Sequence, residues 1–175
     1  MALLPFSARI KINPVTHCYP CEKLMHTTTI RQAVLADLED LTTLFDHYRQ
    51  FYGKAGDLEG ARRFLLARLQ HGESMLLIAH AKGEPAGFTQ LYPGFSSLSM
   101  ARAFVLNDLF VADTARRQGV ATQLLGAASA LARHLGAVAL TLSTALDNRS
   151  AQALYEAAGW QRDTGFFTYH LRLAP

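Results

Sequence analysis

The chain has 175 residues, half of them hydrophobic, and its 17 Lys and Arg outnumber its 14 Asp and Glu by three. That is ample apolar material for one core, far too much for a disordered chain, and the mild positive balance has no sustained basic stripe with interleaved aromatics of the kind that binds nucleic acid. No apolar run reaches the roughly 18 residues that a membrane helix needs, and the opening MALLPFSARI lacks the basic start and long apolar stretch of a secretory signal.

Residues 1–25 show no period and read as a flexible extension ahead of a single domain over residues 26–175. The extension holds Cys18 and Cys21 in THCYPCEKLMH, flanked by His17 and His26. Zinc wants a second ligand pair at defined spacing, and a redox Cys-x-x-Cys should open a helix after a strand. Neither condition is met in this extension, which also contains Pro14 and Pro20, so no metal is expected, and reduced thiols in the cytoplasm are the default.

TTTIRQAV, from Thr27, reads as a first strand because it is rich in β-branched residues. From Leu35 onward, Leu38, Leu41, Phe45, Tyr48 and Tyr52 recur at helical spacing, with Asp37, Glu39 and Asp40 at the end that favours negative charge and Gly53 as the stop. A second helix fits Leu58 to Gln70, closed by Gly72. SMLLIAHA, the turn KGE and AGFTQLYP form a hairpin, FSSLSM a loop and ARAFVLNDLFV a long strand. Gly119 to Gly136 is helical, AVALTLST a strand and Asn148 to Ala158 a short helix; Trp160 to Leu173 reads as two closing strands around Thr164 and Gly165. This order, with no internal repeat or linker, predicts an α/β (α+β) fold in which helices pack on a mixed sheet.

Two segments carry chemistry. In LNDLFVADTARRQGVATQLL a strand ends, Arg116, Arg117 and Gln118 follow, and Gly119 opens a helix. A helix N-terminus offers free N–H groups and partial positive charge, which suit phosphate. Gly119 lets the backbone approach an anion, and the small Ala121 keeps the first turn uncluttered. Neither a P-loop nor Gly-x-Gly-x-x-Gly is present, and an ordinary basic loop capping a helix is the alternative. In STALDNRSAQALYEAAGW, Ala151, Leu154, Tyr155 and Ala158 share one helical face, so Tyr155 points inward with a hydroxyl that wants a partner. Asn148 stands where an N-cap would, and Gly159 where a helix stops.

Together the segments resemble the GNAT superfamily of N-acetyltransferases. Arg116-x-x-Gly119-x-Ala121 is similar to its pyrophosphate loop, and Asn148-x-x-Ala151-x-x-Leu154-Tyr155-Glu156-x-x-Gly159-Trp160 to its second signature. The resemblance implies a mostly antiparallel seven-stranded sheet with four helices, and acetyl-CoA as cosubstrate. The backbone of Leu109, Phe110 and Val111 would then bind the pantetheine arm, and the amides of Arg116, Arg117, Gln118, Gly119, Val120, Ala121 and Thr122 would surround the pyrophosphate. Asn148 would contact the cofactor arm, and Tyr155 would act as general acid on the departing thiolate.

Relatives resembling polyamine acetyltransferases carry Leu-Glu-Asp where this chain has Leu106-Asn107-Asp108. The glutamate position holds an amide that cannot take a proton, and neighbouring strand residues face opposite sides. Asp108 therefore serves as general base only if a bulge re-aims it. A water chain ending on Asp108, an amine deprotonated by solvent, and a purely structural or substrate-orienting role for the carboxylate are the alternatives.

Tyr48 and Tyr52, with Asn107, are the expected acceptor contacts, and Tyr92 and Phe95 extend the aromatic wall; the alternative is that Tyr48 and Tyr52 simply finish the apolar stripe of their helix. His47, His80, His134 and His170 are scattered singly and read as surface or packing residues. The expected activity is acetylation of a small-molecule primary amine; a protein or peptide acceptor, or a non-catalytic acyl-CoA-binding regulator, are the alternatives. The closing strands or the long fourth strand offer an edge for a homodimer.

Overall fold

β1 (Thr28–Gln32) opens the part of the chain described by the computed structural model, residues 28–173. The extension expected over residues 1–25, with Cys18 and Cys21, lies outside it. Asp37 ends β1's connection with a 3-10 turn, Leu35–Asp37, so α1 (Leu38–Phe51) starts three residues later than the apolar spacing suggested. The cause is local. The Asp37 carboxylate accepts the Val34 amide at 2.8 Å and grips Arg31 through two bonds of 2.7 and 2.6 Å.

α2 (Leu58–His71) is capped by Asp57, whose carboxylate accepts the Gly60 amide at 2.8 Å, and ends at Gly72 in the left-handed conformation. β2 (Met75–Ala81) and β3 (Glu84–Ser96) form the expected hairpin, followed by β4 (Ala101–Val111). β3 runs three residues past the expected end at Pro93. Its β2 ladder stops at Met75 opposite Leu91, so the proline has no partner on that side to which an N–H must be given. α3 (Val120–His134), β5 (Ala137–Thr141) and α4 (Arg149–Ala157) complete the elements.

The strands lie in the order β1-β2-β3-β4-β5; the first three pairs are antiparallel and β4–β5 is parallel. Leu76, Ile78, Phe88 and Phe110 pack under α1 and α2, while Leu77, Ala79, Leu91, Phe104 and Leu106 pack under α3. Because the central strands are covered on both faces, β2 reads as a continuous apolar run instead of alternating.

The sheet differs from the expected seven strands: among the described residues there are five. The turn expected near Thr164 and Gly165 forms, with the Asp163 carboxylate accepting the Gly165 and Phe166 amides at 2.8 and 3.2 Å. The residues beyond it make no ladder, and every one from Gln161 to Leu173 is exposed. A lone hairpin gains too little from its own pairing to hold together without a sheet to join. None of the described helices is long and apolar enough to cross a membrane.

Candidate functional site

Gln90 of β3 lies opposite Asp108 of β4, but the next pair is Leu91 with Leu106. Asn107 is the surplus residue, a β-bulge in the middle of β4. The bulge reverses the alternation: Phe104 and Leu106 face α3, whereas Phe110 faces α1 and α2. Asp108, two residues before Phe110, turns with it toward α1. The condition on which its use as a base depended is therefore present.

Asp108 is 4% exposed. Asn107 donates to its carboxylate at 3.1 Å, and the hydroxyl of Tyr48 on α1 stands beside it. Burial raises its pKa, against the opposing pull of these two donors. Thr89 fastens the bulge from across the ladder, its hydroxyl donating to the Asp108 carbonyl at 2.8 Å. Gln90, fully buried, donates to Ser74 at 2.7 Å, and its side-chain oxygen has no partner among the described residues.

Beyond the bulge β4 and β5 part. Their ladder ends where Val105 meets Thr141, so the stretch from Asn107 to Val111 keeps an unpaired edge on that side. Tyr48 and Tyr52 flank the opening from α1 with ring centroids 5.1 Å apart, and Tyr48 packs edge-on to Phe110 at 6.4 Å. Tyr155 approaches from α4, its ring 6.2 Å from Trp160. Burial raises the Tyr155 pKa, and the nearby Tyr52 raises it further, so the phenol keeps its proton. Tyr48 is pushed well above the ordinary tyrosine range by burial and by the Asp108 charge. Tyr92 also feels Asp108, but Phe95 lies farther out on the hairpin and is 75% exposed.

The open edge leads to the α3 N-terminus. Arg117 (φ 62°) and Gly119 (φ 78°) are left-handed, and no side chain caps the helix. The amides of Val120, Ala121 and Thr122 precede the first helical bond, Gln123 N–H to Gly119 carbonyl at 3.1 Å, and face outward. Alternating backbone conformations of this kind make an anion-holding concavity. Arg117 is exposed beside it.

Arg116 is turned elsewhere. It pairs with Asp113 at 2.6 Å, donates to the Val111 carbonyl at 3.3 Å and lies over the rings of Phe51 and Phe110. Arg116, Asp113, Phe51 and Phe110, with His47 and Gln50, line a groove of about 470 Å³ along the β4 end. Gln118 donates to the Thr114 carbonyl at 2.9 Å, closing the loop on itself. Asn148 caps α4 by accepting the Ala151 amide at 3.2 Å; its oxygen is thereby occupied, and its amide nitrogen stays available.

The site thus gathers Asp108, Asn107, Tyr48, Tyr52 and Tyr155 around one opening. Sequence reasoning missed Phe51 and the Thr89–Gln90 support. The second was visible as two adjacent polar residues inside an apolar strand; Phe51 carried no signal beyond one more aromatic at a helix end.

The chain matches known proteins in sequence and fold. Residues 41–160 match the model of the acetyltransferase (GNAT) family. The chain is 51% identical over 144 residues to the uncharacterized N-acetyltransferase YhfO of Bacillus subtilis (strain 168), spanning 82% of this chain and 97% of that one. The crystal structure of a "probable acetyltransferase" superposes with a TM-score of 0.80 at 45% identity, over 84% of this chain and 99% of that one. The aminoglycoside N-acetyltransferase AAC(6')-Iy, solved with CoA, shares the fold at a TM-score of 0.70 and 22% identity, over 83% of this chain and 95% of that one. The family match over most of the folded region, joined to this level of identity, places the chain in the acetyltransferase (GNAT) family as an N-acetyltransferase.

Proposed function

We propose that this enzyme moves the acetyl group of acetyl-CoA to the primary amine of a small molecule, with both bound at once. The observation that carries the reading is the unpaired β4 edge, which runs from the buried Asp108 to the uncapped α3 N-terminus with Tyr155 across the gap. A chain-like thioester with a diphosphate at one end fits that track. It supplies an activated acyl group whose leaving thiolate has a pKa of about 8.5, by analogy with cysteine.

In this reading the backbone of Leu109, Phe110 and Val111 pairs with the pantetheine arm as an added strand would. The amides from Arg117 to Thr122 hold the diphosphate, with Arg117 as the closest uncommitted cation; Arg116 shapes the groove through Asp113 and Phe51. The Asn148 amide nitrogen reaches the arm. Tyr48, Tyr52 and Asn107 contact the acceptor.

An alkylamine has a pKa near 10 and must lose a proton before it can attack. Asp108 takes that proton, directly or through one water; burial raises its affinity for it. The amine nitrogen then bonds to the acyl carbon, a free strand N–H near Leu109 meets the developing oxyanion, and the carbon–sulfur bond breaks. Tyr155, still protonated, donates to the departing sulfur, and the second proton leaving the acylated nitrogen passes through water to restore the phenol. The tyrosine rings beside Asp108, Tyr48 against Tyr52 with Tyr92 nearby, favour a small amine over a protein side chain.

The test is a free-thiol release assay with acetyl-CoA against polyamines, amino acids, aminoglycosides and lysine peptides. A single small-amine class turning over, with product mass increased by one acetyl group, is the expected result. Turnover of lysine peptides alone would move the acceptor to protein. Binding of acetyl-CoA with no turnover on any amine would overturn the catalytic reading.

A further inference from the structure

Three buried side-chain atoms lack a hydrogen-bond partner among the described residues: Thr42 Oγ1, Arg49 Nη1 and Gln90 Oε1. Arg49 can only donate, and Thr42 lies on α1 well over a turn from Tyr48. Gln90 stands directly opposite Asp108 in the β3–β4 ladder. A fully buried amide oxygen left alone is costly, and such an orphan in a packed core calls for a function. Its nitrogen is already committed, since Nε2 donates to Ser74 at 2.7 Å, so the oxygen is what remains. Side chains on one face of such a pair have Cβ atoms about 4.5–5.5 Å apart, so Oε1 reaches the Asp108 carboxyl directly or through one water. The partners of Asp108 sort by charge state. Asn107 donates to its carboxylate at 3.1 Å and the Tyr48 hydroxyl donates beside it, and both favour the ionised form. Once the carboxyl carries a proton, the new O–H needs an acceptor. The Asn107 nitrogen cannot be one, and the Tyr48 oxygen would first have to turn its own proton away. Gln90 Oε1 is an acceptor already in place.

We infer that Gln90 is a positioning residue for the base: its side-chain oxygen accepts the hydrogen bond of the protonated Asp108 carboxyl, directly or through one buried water. The role rests on Asp108 being the base of the proposed reaction. The proton leaves the amine nitrogen for a carboxylate oxygen, the O–H so formed points to Gln90, and no bond on Gln90 is made or broken. An acceptor that meets only the protonated form strengthens the base. Tyr48 from α1 and Tyr92 from β3 are the titratable groups that feel the Asp108 charge, and both are raised by burial and by that charge. Tyr52 and Tyr155 act on Tyr48 in turn. Arg68 and Glu73, the charges that reach Tyr92, are paired with each other at 2.6 Å. Asp108 itself answers to burial, Asn107 and Tyr48, so no cation competes with the amide oxygen for its state.

Carbon-13 titration of the Asp108 carboxyl in the whole chain, without cofactor, reads the contact apart from turnover. Gln90→Met, close in size but without the oxygen, should lower the Asp108 pKa by about half to one unit, the share of one hydrogen bond. Gln90→Glu sets a second carboxyl against the first and should raise it, the pair sharing one proton. Ser74→Ala leaves Gln90 intact and only frees its amide to turn, so it should lower the value by less than Gln90→Met does. The acidic limb of kcat/KM should move with the titration in each variant. In Gln90→Met the plateau kcat should fall severalfold with the KM for acetyl-CoA unchanged, whereas a role in packing alone would leave the limb in place. An unchanged Asp108 titration in all three variants, with the limb lost in Asp108→Asn, would overturn the inference and leave the base standing. A titration that moves while the limb survives in Asp108→Asn would remove Asp108 as the base, and the role of Gln90 with it.

Discussion

Gln90 and Asp108 face each other across the β3–β4 ladder, one step before the register slips: Gln90 shares the Phe88 face of β3, and Asp108 joins it on the α1 side because Asn107 is left over. Asp108→Asn tests what that placement does. The buried carboxyl holds its proton more tightly in the folded chain than in the unfolded one. Its contribution to stability is therefore present below the unfolded pKa and is lost as pH rises through the folded value. At neutral pH the asparagine variant should melt at or above the wild-type temperature while kcat/KM falls at least tenfold. The acidic limb of the wild-type pH profile should lie above the ordinary carboxylate range and vanish in the variant. An unchanged profile would assign the base elsewhere.

Tyr155→Phe keeps the ring against Trp160 and removes only the hydroxyl. General acid catalysis is typically worth 10²–10⁴ in rate, and a thiolate needs less help than most leaving groups. A kcat loss of at least tenfold with little change in the KM for acetyl-CoA is expected. Because burial raises the wild-type phenol, its alkaline limb should sit above the usual tyrosine range. Steady-state kinetics within twofold of wild type would take Tyr155 out of the mechanism.

The helices, the hairpin and the glycine turn ahead of α3 were legible in the sequence because each depends on local chemistry: apolar spacing, glycine stops, and an uncapped N-terminus after a strand. The bulge was legible only as a condition. Asn107 and Asp108 say that one of two residues must turn, but which pairs with Gln90 is decided across a ladder 18 residues away in sequence. Arg116 looked like a phosphate ligand because it adjoins Gly119; its commitment to Asp113, Phe51 and Phe110 depends on where α1 ends in space. The closing segment had the alternation of a strand, yet alternation says only that one face seeks cover and does not name the neighbour that supplies it.

The grip of Asp37 on Arg31 joins β1 to the start of α1. Hydrogen bonding from Arg31 is the main cause that holds the Asp37 carboxyl down to about 2, helped by the Val34 amide. A lowered carboxylate adds stability above its unfolded pKa, near 3.9, and loses it as pH falls through the folded value. Half of Arg31 is in water, so about 1–2 kcal/mol is expected at neutral pH after solvent screening. Urea titrations should show Asp37→Asn weaker by that amount at pH 7, with the gap closing toward pH 2.

Asp46 holds the loop between α1 and α2. It is 4% exposed and accepts the Asp57 amide and the Gln50 side chain, both at 2.7 Å. That loop begins at Tyr52, an acceptor contact in the proposed site. Asp46→Ala should therefore raise the KM for the amine severalfold, with a smaller effect on kcat and little on the KM for acetyl-CoA. Equal losses for both substrates would mean that the whole fold has loosened.

Gly87 and Gly119 separate two reasons for having no side chain. A Cβ at Gly87 would lie 2.5 Å from the Phe110 carbonyl oxygen and 3.2 Å from the Val111 Cα, both backbone atoms that can yield only if β3 and β4 move apart. Such a shift reaches the bulge that begins three residues on, at Gln90, and Gly87→Ala should cost about 3 kcal/mol or more or fail to fold. At Gly119 the nearest atom to an added Cβ is the side-chain Nε2 of Gln123, 3.9 Å away, so there is room; the penalty comes from φ at 78°. Gly119→Ala should fold with a loss of about 1–2 kcal/mol, the strain of a left-handed residue. If the turn holds the diphosphate, that strain also displaces the amides, and calorimetric titration should show CoA affinity reduced about tenfold while Gly72→Ala, equally left-handed but remote, leaves it unchanged. Equal affinity in both variants would separate the turn from the nucleotide.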